Sequence, residues 1–277
     1  MALHVPVLKY FGVFLLLTPF FLCESRPGFY PQFNNLTAVG NGEWSSAGAT
    51  WYGSADGGGS DGGACGYGAL VTQPPFGSMV TAVGPSLYND GKECGACYQV
   101  KCDKSAHPAC SGIPKTVVIT DSCPGGPCAN EPAHFDLSGH AFGSMAIQGE
   151  ESTLRDAGVL EISFSRVPCE YPGQSIAFRV DAGSNQFYFA TIIEFEQGDG
   201  DLAGVDLAEA TTGNEGWKPM QQSWGALWKL DGYGSALSPP FSIRLTTHSG
   251  NSIVAKDVIP ANWQAGATYR SIVNFPG

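Results

Sequence analysis

Residues 94–102 read Cys94-Gly95-Ala96-Cys97-Tyr98-Gln99-Val100-Lys101-Cys102. From Cys97 to Lys101 aromatic and β-branched residues alternate with polar ones, which is the period-two signature of a half-buried strand. The same rhythm returns over 116–120 and 159–165, with Gly, Pro and Asp turns between. This half of the chain is therefore expected to be mainly β, with helix confined to 138–148 and 152–157. Nine cysteines are present; Cys23 falls in an apolar leader, and the others are Cys65, Cys94, Cys97, Cys102, Cys110, Cys123, Cys128 and Cys169. An even set in an exported chain reads as a disulfide framework, with the pairing left open. A zinc site on Cys94, Cys97, Cys102 and Cys110 is the rival reading. It is disfavoured because an oxidising compartment consumes thiols and no histidine stands at ligand spacing.

Upstream, residues 10–23 are apolar apart from Gly12, Thr18 and Pro19, too short a run to span a bilayer comfortably. They read as the core of a secretory signal peptide, so residues 1–24 are set aside and the mature chain is expected to be secreted. Residues 25–43 form an N-terminal extension that carries the glycosylation sequon Asn35-Leu36-Thr37. What remains is long enough for two ordinary domains. A charged fraction of 14% with 37 Gly and 19 Pro favours short strands and tight turns. The 25 acidic against 14 basic residues give a formal charge of −11, and no Lys/Arg cluster could track a phosphate backbone. Nucleic acid and anionic membranes are thereby poor partners, and acidic polysaccharides are disfavoured on the same ground.

Cysteine usage stops at Cys169, and Glu170-Tyr171-Pro172-Gly173 has the composition of a turn, which places a domain boundary there. Beyond it, seven short strand-like runs (175–180, 188–195, 204–208, 216–220, 226–230, 241–246 and 252–258) are separated by turn signals and contain no cysteine. That pattern indicates a β-sandwich.

Three clusters could carry chemistry. The first is Thr50-Trp51-Tyr52-Gly53 with the glycine-rich stretch 56–68, which lacks the Lys-Ser/Thr ending and following helix of a phosphate loop. Adjacent Trp51 and Tyr52 would point to opposite faces of a strand, so one is ordinarily core unless the segment is irregular. The second is Thr120-Asp121-Ser122-Cys123-Pro124-Gly125-Gly126 with His134-Phe135-Asp136-Leu137-Ser138-Gly139. Two carboxylates at strand ends invite a glycosidase reading, while His134 suits a hydrogen-bonded structural role. The third is Gly183-Ser184-Asn185-Gln186-Phe187-Tyr188 with Gln222-Ser223-Trp224-Gly225-Ala226-Leu227-Trp228. A spacing of four puts Trp224 and Trp228 on one face of a regular strand, unless Gly225 breaks the phase.

Taken together, Ala49-Thr50-Trp51-Tyr52-Gly53, Gly63-Ala64-Cys65-Gly66-Tyr67, the 94–102 stretch, His134-Phe135-Asp136-Leu137-Ser138-Gly139 and Ser223-Trp224-Gly225-Ala226-Leu227-Trp228 resemble the β-expansins, relatives of the grass pollen group-1 allergens. The resemblance implies a mainly β fold: a six-stranded double-psi β-barrel over 44–170 and an immunoglobulin-like, carbohydrate-binding β-sandwich over 171–277. It also implies disulfides Cys65 to Cys94, Cys97 to Cys169 and Cys102 to Cys110. Cys123 and Cys128 fall outside that threefold pattern and are expected to pair with each other because they are close in the loop.

The barrel is similar to that of family-45 endoglucanases, in which two aspartates hydrolyse β-glucan with inversion. By that likeness Asp136 stands where the catalytic acid stands, and Gly53 stands where the base would follow an aromatic. An inverting site without one carboxylate should not turn over at a useful rate. The implied function is non-hydrolytic loosening of plant cell walls through binding of polysaccharide. The implied contacts are Thr50, Trp51, Tyr52, Asp121, His134 and Asp136 in the first domain and Asn185, Tyr188, Ser223 and Trp224 in the second. The expected partner is cellulose, arabinoxylan or a related glycan, gripped by a monomer without cofactor or metal. Lys229 stands where a pollen-type relative has arginine, and the isoelectric point near 4.7 departs from the basic pollen proteins. Two rivals remain: an endoglucanase that recruits its base from Asp56 or Asp61, and a purely carbohydrate-binding protein.

Overall fold

Backbone hydrogen bonding closes the strands of the first half on themselves. The computed structural model describes Met1, residues 43–210 and residues 216–276; the leader, the arm up to residue 42 and the Asn35 sequon lie outside the described residues. Six strands, β1 (Ser45–Tyr52), β2 (Val80–Val83), β3 (Cys97–Lys101), β4 (Lys115–Ser122), β5 (His134–Ser138) and β6 (Leu160–Val167), form a closed barrel in the order β1-β5-β2-β4-β3-β6. The β1–β5 and β2–β4 pairs are parallel, so each needs a crossover, and the other pairs are antiparallel. Val117, Val118, Ile119 and Thr120 of β4 are all buried, as expected of a β-branched run covered on both faces. Inside, Tyr98, Phe135 and Phe164 stack as a triangle with ring centroids 5.1 to 6.1 Å apart.

Short helices decorate the crossovers: α1 (Pro85–Tyr88), α2 (Pro127–Asn130), α3 (Gly139–Ser144) and α4 (Glu151–Arg155). Of the last two, α3 falls within its expected helical stretch and α4 overlaps the other, starting one residue earlier. The first two add to them: each is a four-residue turn opened by proline, whose fixed φ suits a first helical position but leaves no room for an apolar period. Disulfides join Cys65 to Cys94, Cys97 to Cys169, Cys102 to Cys110 and Cys123 to Cys128.

Nine further strands follow: β7 (Ala177–Val180), β8 (Tyr188–Glu194), β9 (Gly204–Glu209), β10 (Lys218–Pro219), β11 (Gln221–Trp224), β12 (Leu227–Asp231), β13 (Phe241–Thr246), β14 (Ser252–Ile259) and β15 (Thr268–Arg270). They make a four-stranded sheet, β10-β9-β13-β14, and a five-stranded sheet, β11-β12-β8-β7-β15. Between the sheets lie Phe178, Phe189, Trp228, Phe241 and Ile243, all buried. Trp224 and Trp228 do not share a strand. The chain reverses at Gly225-Ala226, so Trp224 ends β11, opposite Leu227, and Trp228 sits on the returning strand with its ring in the core.

The outer face of the five-stranded sheet packs on the barrel. Ala177, Ala190, Ile192, Ala226 and Leu227 belong to the same buried cluster as the barrel core. Polar contacts fix the seam: Ala226 N donates to Cys65 O (3.0 Å), Gln222 Nε2 to Gly91 O (3.0 Å) and Arg179 Nη2 to Gly66 O (2.6 Å). Arg166 of β6 binds Glu93 on the barrel side and Asp201 on the sandwich side, both at 2.7 Å, and His248 meets Asp201 at 2.8 Å. Tyr171, in the stretch with turn composition, is wedged between Phe76 and Phe195. No helix among the described residues is long and apolar enough to cross a membrane.

The seam holds several groups above their ordinary titration range. Burial pushes the Glu196 carboxyl up to about 8, and it raises Glu93 and Glu194 as well despite their arginine partners. The hydrogen bond that His248 donates to Asp201 raises His248. For a carboxyl or an imidazole raised in the folded chain, the folded state binds more protons than the unfolded state across the interval between the two midpoints, so stability falls as pH rises through it. Asp199 is held low instead, so its contribution is lost only in more acidic solution, below the ordinary carboxylate midpoint of 3.8. The melting temperature should therefore rise as pH falls from 8 to 5, and Glu196→Gln should flatten much of that slope; a melting temperature that falls over this interval would contradict the assignment.

Candidate functional site

The site begins with the parallel register of β1 and β5, which sets Gly48 beside His134 and Thr50 beside Asp136. Thr50 Oγ1 donates to Asp136 Oδ1 at 2.6 Å and lies 2.9 Å from His134 Nε2, while His134 Nδ1 lies 2.8 Å from Glu131 Oε2. A polar chain thus runs from Glu131 through His134 and Thr50 to Asp136. Burial raises Asp136 above the ordinary carboxylate range; the Thr50 bond and the His134 charge oppose this, and Asp121 adds to it.

Ala82 of β2 is paired with Asp136 on one side and with Asp121 of β4 on the other. Two strand spacings therefore separate the carboxylates, about 9 to 10 Å between backbones, with only a methyl group between them. Asp121 is already engaged. Its Oδ1 accepts from Ala64 N (2.7 Å) and Ser122 N (2.8 Å), and its Oδ2 from Ser60 Oγ (3.0 Å) and, more weakly, Tyr52 Oη (3.4 Å). Asp121 is the anchor of the glycine-rich loop. Tyr52 stays a phenol, because burial and the two aspartates push its ionisation far up.

Along β1, Thr50 and Tyr52 share one face. Trp51 is on the other, where its indole Nε1 donates to Arg155 O at 2.9 Å. The strand is regular through Tyr52, so the irregularity that would have exposed both aromatics is absent. His134 is fully buried and cannot touch a ligand; its expected place among the contacts is corrected to a prop behind Thr50. Gly53 has φ +78°, and a Cβ there would lie 2.7 Å from Gly59 O and 2.9 Å from Gly59 Cα. The loop doubles back over this position, and no side chain fits. Asp56, the candidate substitute base, points outward beside Arg155, 3.6 Å from its Nη2, and Asp61 is exposed in the loop.

The ligand atoms of Cys123, Cys128 and Asp136 lie within 4.8 Å of one another. Both sulfurs are spent in the disulfide, so the group offers no thiolate for a metal; it stiffens the rim beside Asp136 instead.

In the sandwich, Trp224 is about half exposed (49%) and rests its ring edge on Gly66 of the barrel loop, bridging the seam. Tyr188 begins β8 opposite Asp231 and is partly exposed on the barrel-facing side of the sheet. Ser223 is exposed at the register shift of β11. Asn185 is exposed, and its Oδ1 accepts from Phe187 N at 2.9 Å to close the turn before β8. The structure thus gathers Thr50, Tyr52, Asp121 and Asp136 on the barrel, and carries Trp224 and Tyr188 on the sheet packed against it. Sequence reasoning missed Glu131 and Ser60, which support the barrel group. Both lie outside the strands and helices, and the only cue was the three-residue spacing from Glu131 to His134.

The match to known proteins covers both halves. The expansin C-terminal domain model matches residues 176–260, and the lytic transglycolase model matches residues 80–164. Expansin-B11 of Oryza sativa subsp. japonica is 58% identical over 233 residues, 84% of this chain and 78% of that one. Putative expansin-B2 of Arabidopsis thaliana is 53% identical over 250 residues, 89% of each chain. Among solved structures, the apo expansin of Clavibacter michiganensis superposes with a TM-score of 0.62 at 21% identity, over 85% of this chain and all of that one. An aspartate mutant of that protein, in complex with cellohexaose, superposes equally well.

Thr50→Val keeps the volume and removes the donor to Asp136, so the Asp136 midpoint should move further up in a carboxyl-resolved NMR titration. A midpoint that stays in place or falls would show that Thr50 does not hold the charged form.

Proposed function

The chain belongs to the expansin family, and from that premise we propose that it loosens plant cell walls by holding polysaccharide along a path over both domains, without cleaving it. The observation that carries the non-hydrolytic part is Gly53. Inverting hydrolysis needs an acid and a base on opposite sides of the scissile bond. Asp136, half-buried and raised in its titration, has the character of the acid. The base position is filled by backbone, Asp121 is committed to four donors, and Asp56 faces Arg155.

Binding then rests on Tyr52 and Asp136 in the barrel, with Asp121 holding Tyr52 and the loop in place, and on Trp224 and Tyr188 in the sandwich. A single aromatic contact is worth only about 0.5–1.5 kcal/mol beyond area burial, by analogy with aromatic pairs. Two platforms on a rigid seam act at high effective concentration, so the pair can hold a chain while neighbouring polymers slip. The cellohexaose complex of the bacterial expansin supports a β-linked glycan as ligand, with cellulose or arabinoxylan as the wall target. The leader-like residues 10–23 support action outside the cell, and the sequon at Asn35 offers a glycosylation site in the N-terminal extension.

The test places purified protein on isolated wall under constant load and assays the same sample for new reducing ends. Extension without reducing ends is expected; reducing ends in step with extension would overturn the proposal. Asp136→Asn should cut extension severalfold with an unchanged melting curve, since the amide keeps the shape but reverses half of the hydrogen bonding. Gly53→Asp should lower the melting temperature and yield no hydrolysis, because the loop leaves no space for a side chain.

A further inference from the structure

Tyr233 is 84% exposed, and it is so from a left-handed backbone conformation, φ +48°, that residues with side chains rarely adopt. The turn that presents it is fastened on both sides. Tyr233 N donates to Asp231 Oδ1 (2.7 Å), Ser235 N to Gly232 O (2.9 Å), Gly232 N to Phe187 O (2.8 Å) and Leu237 N to Gln186 O (2.7 Å). A Cβ on Gly232 would lie 2.3 Å from Ser235 O, so the turn is packed as tightly as a backbone allows. A large ring held rigidly into water, at a conformational cost, marks a contact rather than a packing residue.

Beside the ring lies a cleft of about 440 Å³, lined among others by Gln221, Lys229 and Asp231. Its position follows from β12. Leu227, Lys229 and Asp231 alternate onto the barrel-facing side of the sheet, where their partners on β8 are Ile192, Ala190 and Tyr188. Leu227 and Ile192 are buried against the barrel beside Trp224, whereas Lys229 is partly exposed and Asp231 exposed. The face therefore emerges from the seam as the strand runs outward. From Leu227 to Asp231 it advances about 13 Å, and Tyr233 lies beyond that end. Among the described residues Lys229 has no ion-pair partner, so its ammonium is available to sugar oxygens.

We infer that Tyr233, with Lys229, Gln221 and Asp231, forms an outer sugar subsite that extends the glycan path past Trp224 and Tyr188 by at least one ring of a β-linked chain. The inference rests on the reading of the sandwich as a polysaccharide platform. Tyr233 stacks on the flat face of the ring, and the three polar side chains take its hydroxyls. Rings nearer the barrel are untouched by it.

The test compares binding of a trisaccharide and a hexasaccharide of both the cello- and xylo-series by calorimetry, using the wild-type chain, Tyr233→Gly, Tyr233→Phe and Trp224→Ala. Tyr233→Gly relaxes the left-handed turn, so its melting temperature should hold or rise while hexasaccharide affinity falls about three- to tenfold. Trisaccharide binding should be unchanged in that variant, and Tyr233→Phe should bind the hexasaccharide almost as wild type does. Trp224→Ala should weaken both lengths. If Trp224→Ala weakens binding and Tyr233→Gly binds the hexasaccharide like wild type, the outer subsite is overturned while the platform stands. If the wild-type chain binds neither series, or Trp224→Ala has no effect, the platform fails and the subsite with it.

Discussion

The guanidinium of Arg166 is almost wholly buried, and the relation between the two halves of the protein depends on it. It draws Glu93 from the barrel and Asp201 from the sandwich to 2.7 Å each, with His248 on the far side of Asp201. Charges withdrawn from water are costly unless the geometry is close, and removing one partner of such a group typically costs about 3–5 kcal/mol. Apolar packing alone tolerates sliding; three carboxylate and guanidinium planes in contact do not. The hydrogen bonds of Gln222 and Ala226 in the hairpin and of Arg179 on β7 then lock the sheet against the barrel, and the Trp224 ring comes to rest on Gly66. The two aromatic platforms are therefore parts of one body.

That arrangement gives the glycine-rich loop a double duty. Asp121 ties its middle to β4 through Ser60 and Ala64, while Cys65 and Gly66 just beyond meet the sandwich. The segment that closes over Gly53 is thus continuous with the segment that carries the second domain. Opening space for a side chain at Gly53 would disturb both, so a carboxylate does not fit there by a single exchange of residue.

Much of the fold is legible in the sequence because the barrel strands obey local rules. The alternation at Cys97–Lys101 and the β-branched run of β4 report burial directly, and each lies in the structure where the pattern puts it. What escapes is set by geometry that no period encodes. The four-residue helices α1 and α2 are shorter than one apolar repeat. The strands β11 and β15 are held by neighbours rather than by propensity, and the reversal at Gly225-Ala226 turns an apparent tryptophan face into a hairpin. At the site, the carboxylates and tyrosine can be named from motif, but the depth of His134 depends on the β1–β5 register and on Glu131 arriving from a turn. Trp51 and Tyr52 stand together in the motif, and strand alternation divides them.

The register that brings Thr50 to Asp136 spans 86 residues of chain, and β1 also needs β6 to complete its other edge. Contacts of such long range are slow to form, because the intervening chain must be ordered before the pairing rewards it. The first strand of the barrel to leave the ribosome is therefore left with both edges open until β5 has been made, and with one edge still open until β6 follows. Through that interval the barrel cannot lock shut, and the polypeptide stays threadable.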